Sequence, residues 1–193
     1  MAAPSRQVAV VATAQTTHRR AATEINEVEL IQPVIQGVFE RIDATIADIG
    51  FVCSGSSDYL AGQAFSFVMT LDAVGAWPPI AESHVEMDAA WALYEAWVKI
   101  QTGLVDSALV YGFGKSSAGE LRRVLSLQMD PYTVTPLWAD AVSIAAIQAR
   151  TGLESGTFDQ AQMSEVVARS MSDAASNDSA IRKGATTGDD VLA

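Results

Sequence analysis

The chain has one cysteine, Cys53, and two histidines, His18 and His84, in 193 residues. A lone thiol cannot close an internal disulfide, and two imidazoles without a cysteine cluster give no zinc-site spacing, so neither a disulfide scaffold nor a structural metal is expected. Basic residues are scarce: 12 Lys plus Arg against 23 Asp plus Glu leave a net charge of −11. That balance repels nucleic-acid backbones and anionic membrane surfaces, and neither is expected as a partner. Long apolar runs are missing too. No stretch approaches the roughly 18 uncharged apolar residues of a membrane span, and residues 1–20 lack the basic start and apolar run of a secretory signal. The expected location is cytoplasmic.

What is present is apolar. Hydrophobic residues make up 49% of the chain and charged residues 18%, which excludes wholesale disorder and implies a sizeable core. Val8–Ala14 is short and β-branched, and reads as a buried strand. Residues 24–47 carry apolar residues at three- and four-residue steps, the pattern of a helix interrupted by Pro33 and Gly37. Ile49–Cys53 reads as a second strand, 59–72 as a helix and Ala108–Tyr111 as a third strand. Ser83 and Glu86 have the spacing of a capping box, which predicts a helix from just after Ser83 to about Thr102, stopped by Gly103. Apolar residues cover nearly all of that helix, leaving Glu95 and Lys99 as an i, i+4 pair, so it is expected in the middle of the protein. Strands alternating with helices predict an α/β fold with a mostly parallel sheet covered on both faces. Residues 117–138 look irregular, 139–150 and 160–175 helical, and 176–193 a polar linker or frayed end.

Few residues stand out chemically. Gly112–Ser117 superficially resembles a phosphate loop, but the spacing needs a glycine where Leu109 stands; a Gly-rich turn with a solvated Lys115 is the better reading. Cys53 lies within a predicted buried strand and reads as a small core hydrophobe. His84 lies among Glu82, Glu86 and Asp88. A surface imidazole is the plain account of it and a catalytic base the sharper one. Asp88 and Glu86 in a first helical turn are stabilised by the helix dipole alone, although an acid entering an apolar helix is also a candidate site group. Trp91, Tyr94 and Trp97 have helical spacing and read as core.

The segments VAVVATAQT, CSGSSDYLAG, LDAVGAWPPIAESHVEMDAAWALYEAW, GLVDSALVYGFGKSSAGE, QMDPY, PLWAD and SEVVARSMSDAASN, in unbroken order over residues 8–177, resemble the thiolase superfamily. They are most similar to actinobacterial thiolase-like lipid-transfer proteins related to the thiolase domain of sterol carrier protein X. The resemblance implies two similar βαβαβαββ halves, each with a mixed, mostly parallel sheet between helices, assembled as dimers. Thiolases place a nucleophilic Cys at the start of the buried helix of the first half, where the helix N-terminus favours thiolate. In this chain Ala89 occupies that position, or Asp88 if the register slips by one, and a ping-pong acyl transfer is therefore not expected. The second half, with its own His and Cys, has no counterpart in these residues, so the chain is expected to be a first half: a thiolase-like domain over 1–175 and a polar linker or truncated end over 176–193. By itself it is expected to be inactive, and poorly soluble or oligomeric.

The resemblance implies a CoA thioester as substrate and no bound cofactor. Cys-free relatives in steroid side-chain degradation look like retro-aldolases working with an OB-fold acyl-CoA-binding partner, and on that model His84 and Asp88 are the acid/base candidates. The alternatives are a non-catalytic lipid or acyl-CoA binding module and a scaffolding subunit that forms a dimer or heteromeric interface.

Overall fold

A computed structural model describes residues 6–57, 65–75, 81–116 and 119–193. These fall into two compact units, one within 1–16 and 21–119, the other within 17–20 and 120–193.

The first unit is built on a three-stranded, all-parallel sheet. Helix α1 (Glu27–Ile42) opens on Asn26, whose side chain accepts from the Glu29 backbone N–H while the Glu29 carboxylate accepts from the Asn26 N–H. This reciprocal cap sets the helix start, and the helix runs through Pro33, which has no N–H to offer the carbonyl one turn back. Strand β1 (Phe51–Ser56) follows, then helix α2 (Ser66–Val74), strand β2 (Glu82–Glu86), helix α3 (Ala89–Gln101) and strand β3 (Ala108–Gly112). The sheet order is β2-β1-β3, with Ser54 level with His84 on one side and with Tyr111 on the other. The prediction of an α/β fold with a parallel sheet holds for this unit.

Side-chain alternation divides the sheet. Val52, Leu109 and Tyr111 face one side and pack with Ile31 and Ile35 of α1 and with Ala73 and Val74 of α2. Phe51 and Cys53 face the other side, against Ala92 and Ala96 of α3. The start of α3 is pressed onto the carboxyl ends of the strands. A Cβ on Gly55 would lie 2.2 Å from the Asp88 carbonyl oxygen, and one on Gly112 would lie 2.4 Å from the Ala89 Cβ. Only glycine allows that approach.

Several expectations are corrected in this unit. Residues 82–86 form a strand, so the Ser83 and Glu86 spacing is not a capping box; α3 begins at Ala89 and its cap is Asp88. Pairing with β1 satisfies the 82–86 backbone as a ladder and leaves no helical turn for Ser83 to cap. Gly103 does stop the helix, at φ 75°, with its N–H bonded to the Ile100 carbonyl. Val8–Ala14 forms no strand, since no strand among the described residues pairs with it, and Val10 and Val11 are 70% and 77% exposed. Arg6 ties the segment to the end of α3 through a two-way bond with Gln101, a bond to the Ile100 carbonyl and an ion pair with Asp106. Helix α3 is covered on one face only: Trp91, Tyr94 and Trp97, expected in the core, are 50%, 56% and 42% exposed and form a ladder of ring contacts on the outer face. Lys99 does not pair with Glu95; its ammonium lies 5.3 Å from the centre of the Phe51 ring. The helix expected over 59–72 lies partly outside the described residues.

The second unit is helical. It contains α4 (Leu121–Leu127), α5 (Ala141–Glu154), α6 (Gln160–Asp173) and the short α7 (Gly188–Leu192). Helices α5 and α6 match the predicted ones. Helix α4 lies where an irregular stretch was expected, and α7 lies within the expected polar linker, capped by Thr187. Asp140 caps α5: it accepts from the Ser143 N–H and hydroxyl and from Arg122 Nε at 2.6 Å. Those bonds, those from Ser143 foremost, hold its carboxyl down at about 2. Among the described residues no helix is long and apolar enough to cross a membrane.

Candidate functional site

The register of the three strands builds a polar row across the α1/α2 face of the sheet. Ser54 stands at its centre, almost completely buried, with His84 level on β2 and Tyr111 level on β3. The Ser54 hydroxyl is 2.9 Å from His84 Nδ1, and His84 Nε2 is 3.4 Å from Glu86 Oε2. On the other side Tyr111 stands level with Ser54 on β3. The Tyr111 hydroxyl is 2.9 Å from that of Thr70, which donates to the Phe67 carbonyl at 2.6 Å. Burial pushes the Tyr111 phenol above its ordinary value, and the hydroxyls of Thr70 foremost and Ser54 pull the other way. The Phe67 ring stacks on the His84 imidazole with centroids 4.2 Å apart and planes 8° from parallel, which holds the ring in the plane of the row.

One step nearer the carboxyl end of β1, Ser56 shares this face and is level with Glu86. Its hydroxyl is buried and has no hydrogen-bond partner among the described residues. Buried hydroxyls are rarely left so, and the carboxyl edge of a parallel sheet is the usual place for a ligand in open α/β folds.

His84 and Asp88, the two candidates from sequence, are not brought into one hydrogen-bonded group. His84 bonds to Ser54 and Glu86; Asp88 accepts from Ala90 N at 2.9 Å and Trp91 N at 3.1 Å as the cap of α3. Ala89 begins the helix and presents only a methyl group. Cys53 is wholly buried on the opposite face, where burial foremost, with Glu95 adding to it, pushes its thiol up to about 12. It stays protonated at neutral pH and is a core residue, as expected from the sequence. Among the described residues no three His, Cys, Asp or Glu side chains are grouped to hold a metal ion.

Ser54, Ser56, Thr70 and Tyr111 were not singled out in the sequence. A signal for the serines was there: two polar residues two apart in the otherwise apolar strand FVCSGS share one face, which is unusual for a strand covered on both sides. Nothing local indicated which histidine they would meet.

The fold and this row define the chain as an α/β protein with a polar cluster at the carboxyl end of a parallel sheet. No family model matches it, and no curated protein matches its sequence.

Proposed function

We propose that the chain is a thiolase-like unit without the nucleophilic cysteine, and that it binds a CoA thioester for retro-aldol carbon–carbon cleavage with a partner subunit. The observation that carries this reading is the carboxyl end of the sheet. There the Ser56 hydroxyl, without a hydrogen-bond partner among the described residues, and the His84–Glu86 pair share the strand ends onto which the start of α3 is pressed, with Ala89 at the position the resemblance gives to Cys. The order β2-β1-β3, all parallel with helices on both faces, is compatible with such a fold.

In this reaction a base removes the proton of the β-hydroxyl and the bond between the α and β carbons breaks. Its electron pair passes to the thioester enolate, which is then protonated, leaving an aldehyde or ketone and a shorter acyl-CoA. His84 is the residue here that can take up the hydroxyl proton, with the Glu86 carboxylate beside it to balance the imidazolium. Asp88 serves as the helix cap. The substrate would be a β-hydroxyacyl-CoA of sterol origin, and the assembly a dimer with an OB-fold acyl-CoA-binding partner.

A second reading is favoured by the outer face of α3. Its exposed Trp91, Tyr94 and Trp97 suit a lipid-binding or scaffolding subunit without turnover. Incubation with a β-hydroxyacyl-CoA, with and without the OB-fold partner, separates the two. Release of the carbonyl product, abolished by His84→Gln with the melting temperature unchanged, supports cleavage. Saturable binding without product favours a lipid-binding subunit, and absence of binding removes both the cleavage and the binding readings and leaves only scaffolding.

A further inference from the structure

The torsion that turns a histidine ring has a broad energy profile, so an imidazole keeps one orientation only where its neighbours hold it. Two contacts hold His84. At the ring edge Nδ1 lies 2.9 Å from the Ser54 hydroxyl, and on the ring face Phe67 stacks with centroids 4.2 Å apart and planes 8° from parallel. The edge contact comes from the paired strand and is set by register. The face contact comes from the first turn of α2, a helix whose start is weakly fixed: its cap residue, Phe65, makes no side-chain capping bond and sits at φ 58°. Something else must place that turn.

The anchor lies across the sheet. Thr70, wholly buried and one turn beyond Phe67, donates to the Phe67 carbonyl at 2.6 Å, and its Oγ1 is 2.9 Å from the Tyr111 hydroxyl on β3. A helical threonine has two accessible side-chain rotamers, and the contact with Tyr111, itself packed in the apolar cluster of this face, selects one. Helix α2 therefore bridges the two outer strands: Thr70 is fastened to β3, and Phe67, on the same face of the helix, covers His84 on β2. From this arrangement we infer that Tyr111 and Thr70 are positioning residues for His84, acting through Phe67 to hold the imidazole in the orientation that turns Nε2 toward Glu86. This deepens the acid/base role given to His84 in the cleavage reading and rests on that reading for its use in catalysis. The positioning itself needs no substrate.

The test is proton NMR of the imidazole rings in the whole chain, where the exposed His18 is the only other histidine and serves as the internal reference. A ring stacked face to face on an aromatic neighbour has its protons shifted upfield, so the His84 signals should lie upfield of those of His18, and Phe67→Leu should remove the displacement. Tyr111→Phe keeps the aromatic ring at 111 and deletes only the hydroxyl; it should remove most of the displacement, and Thr70→Val should do the same. Thr70→Ser retains the hydroxyl and should restore the wild-type signal. Should Tyr111→Phe fail to fold, the Thr70→Val and Thr70→Ser pair decides. A lowered melting temperature with the His84 displacement unchanged would mean that these hydroxyls only support the core, and it would overturn the inference, as would His84 signals in the wild type that are not displaced. Failure of CoA-thioester binding would remove the cleavage reading and leave this result standing.

Discussion

The two units are held by different means. In the first, strands distant in sequence pair side by side, and the buried residues include Ile31, Ile35, Phe51, Val52 and Leu109, so its interior is apolar and non-local. In the second, the buried residues are Ser126, Asp140, Ser164, Ala168 and Gly188, while Val142 and Ile147 on α5 and Leu137 and Trp138 before it are exposed. Order there comes from helix caps and short-range polar bonds, such as Asp140 with Ser143 and Asp159 with Gln162. Apolar side chains thus collect into a core where a sheet supplies a surface to bury them against.

The largest effect that tests this contrast is expected at Gly55. Gly55→Ala puts a methyl group into the Asp88 backbone. It should cost about 3 kcal/mol in chemical denaturation, at the upper end for overpacking, because backbone rather than a flexible side chain must move. A loss well under 1 kcal/mol would show that the start of α3 is not pinned to the strand ends. Asp88→Ala should cost about 1 kcal/mol by removing the cap of α3, and Asp88→Asn only a few tenths, since the amide oxygen still accepts. A similar loss in both variants would indicate that the charge rather than the cap matters.

The second unit should respond to acid. The Asp140 carboxyl is held below its unfolded value, so its contribution is present above about pH 4 and is lost as the pH falls toward 2. Circular dichroism of wild type and Asp140→Asn should therefore differ at pH 6 and converge near pH 2. A difference that persists at pH 2 would break the assignment. The smallest effect is expected on the exposed face of α5, where Ile147→Ser should change stability by no more than about 0.5 kcal/mol. A loss of 2 kcal/mol would mean that this face is covered and the two units are more alike than their burial suggests.

Much of the fold was legible locally. The strand predicted at Ile49–Cys53 is β1 shifted by two to three residues, and Ala108–Tyr111 is β3 less one residue. The apolar periodicity of α1 survived Pro33 because one missing N–H does not outweigh the burial of Ile31 and Ile35. What misled was chemistry shared by two structures. Ser83 and Glu86 suit a helix cap and an edge strand equally, and only the ladder with β1 decides between them. The apolar surround of α3 suggested a buried helix, yet its large outer residues are exposed and its small ones, Ala92 and Ala96, meet the sheet. In the candidate site, His84 and the neighbouring Glu86 were visible in the sequence, but its partner Ser54 was not.

The sequence by itself determined the local features: the cap of α1 at Asn26 and Glu29, the stop at Gly103, the net acidity, and the absence of an activatable thiol at the start of α3. Each depends on residues within a turn or two of one another, or on composition alone. The tertiary structure decided the rest. Parallel pairing sets Ser54 beside His84, thirty residues away, and the fold brings Thr70 to Tyr111, forty-one away. Strand register is a non-local property, fixed by which faces are buried, so the row of His84, Ser54 and Tyr111 could be read only after the sheet was formed.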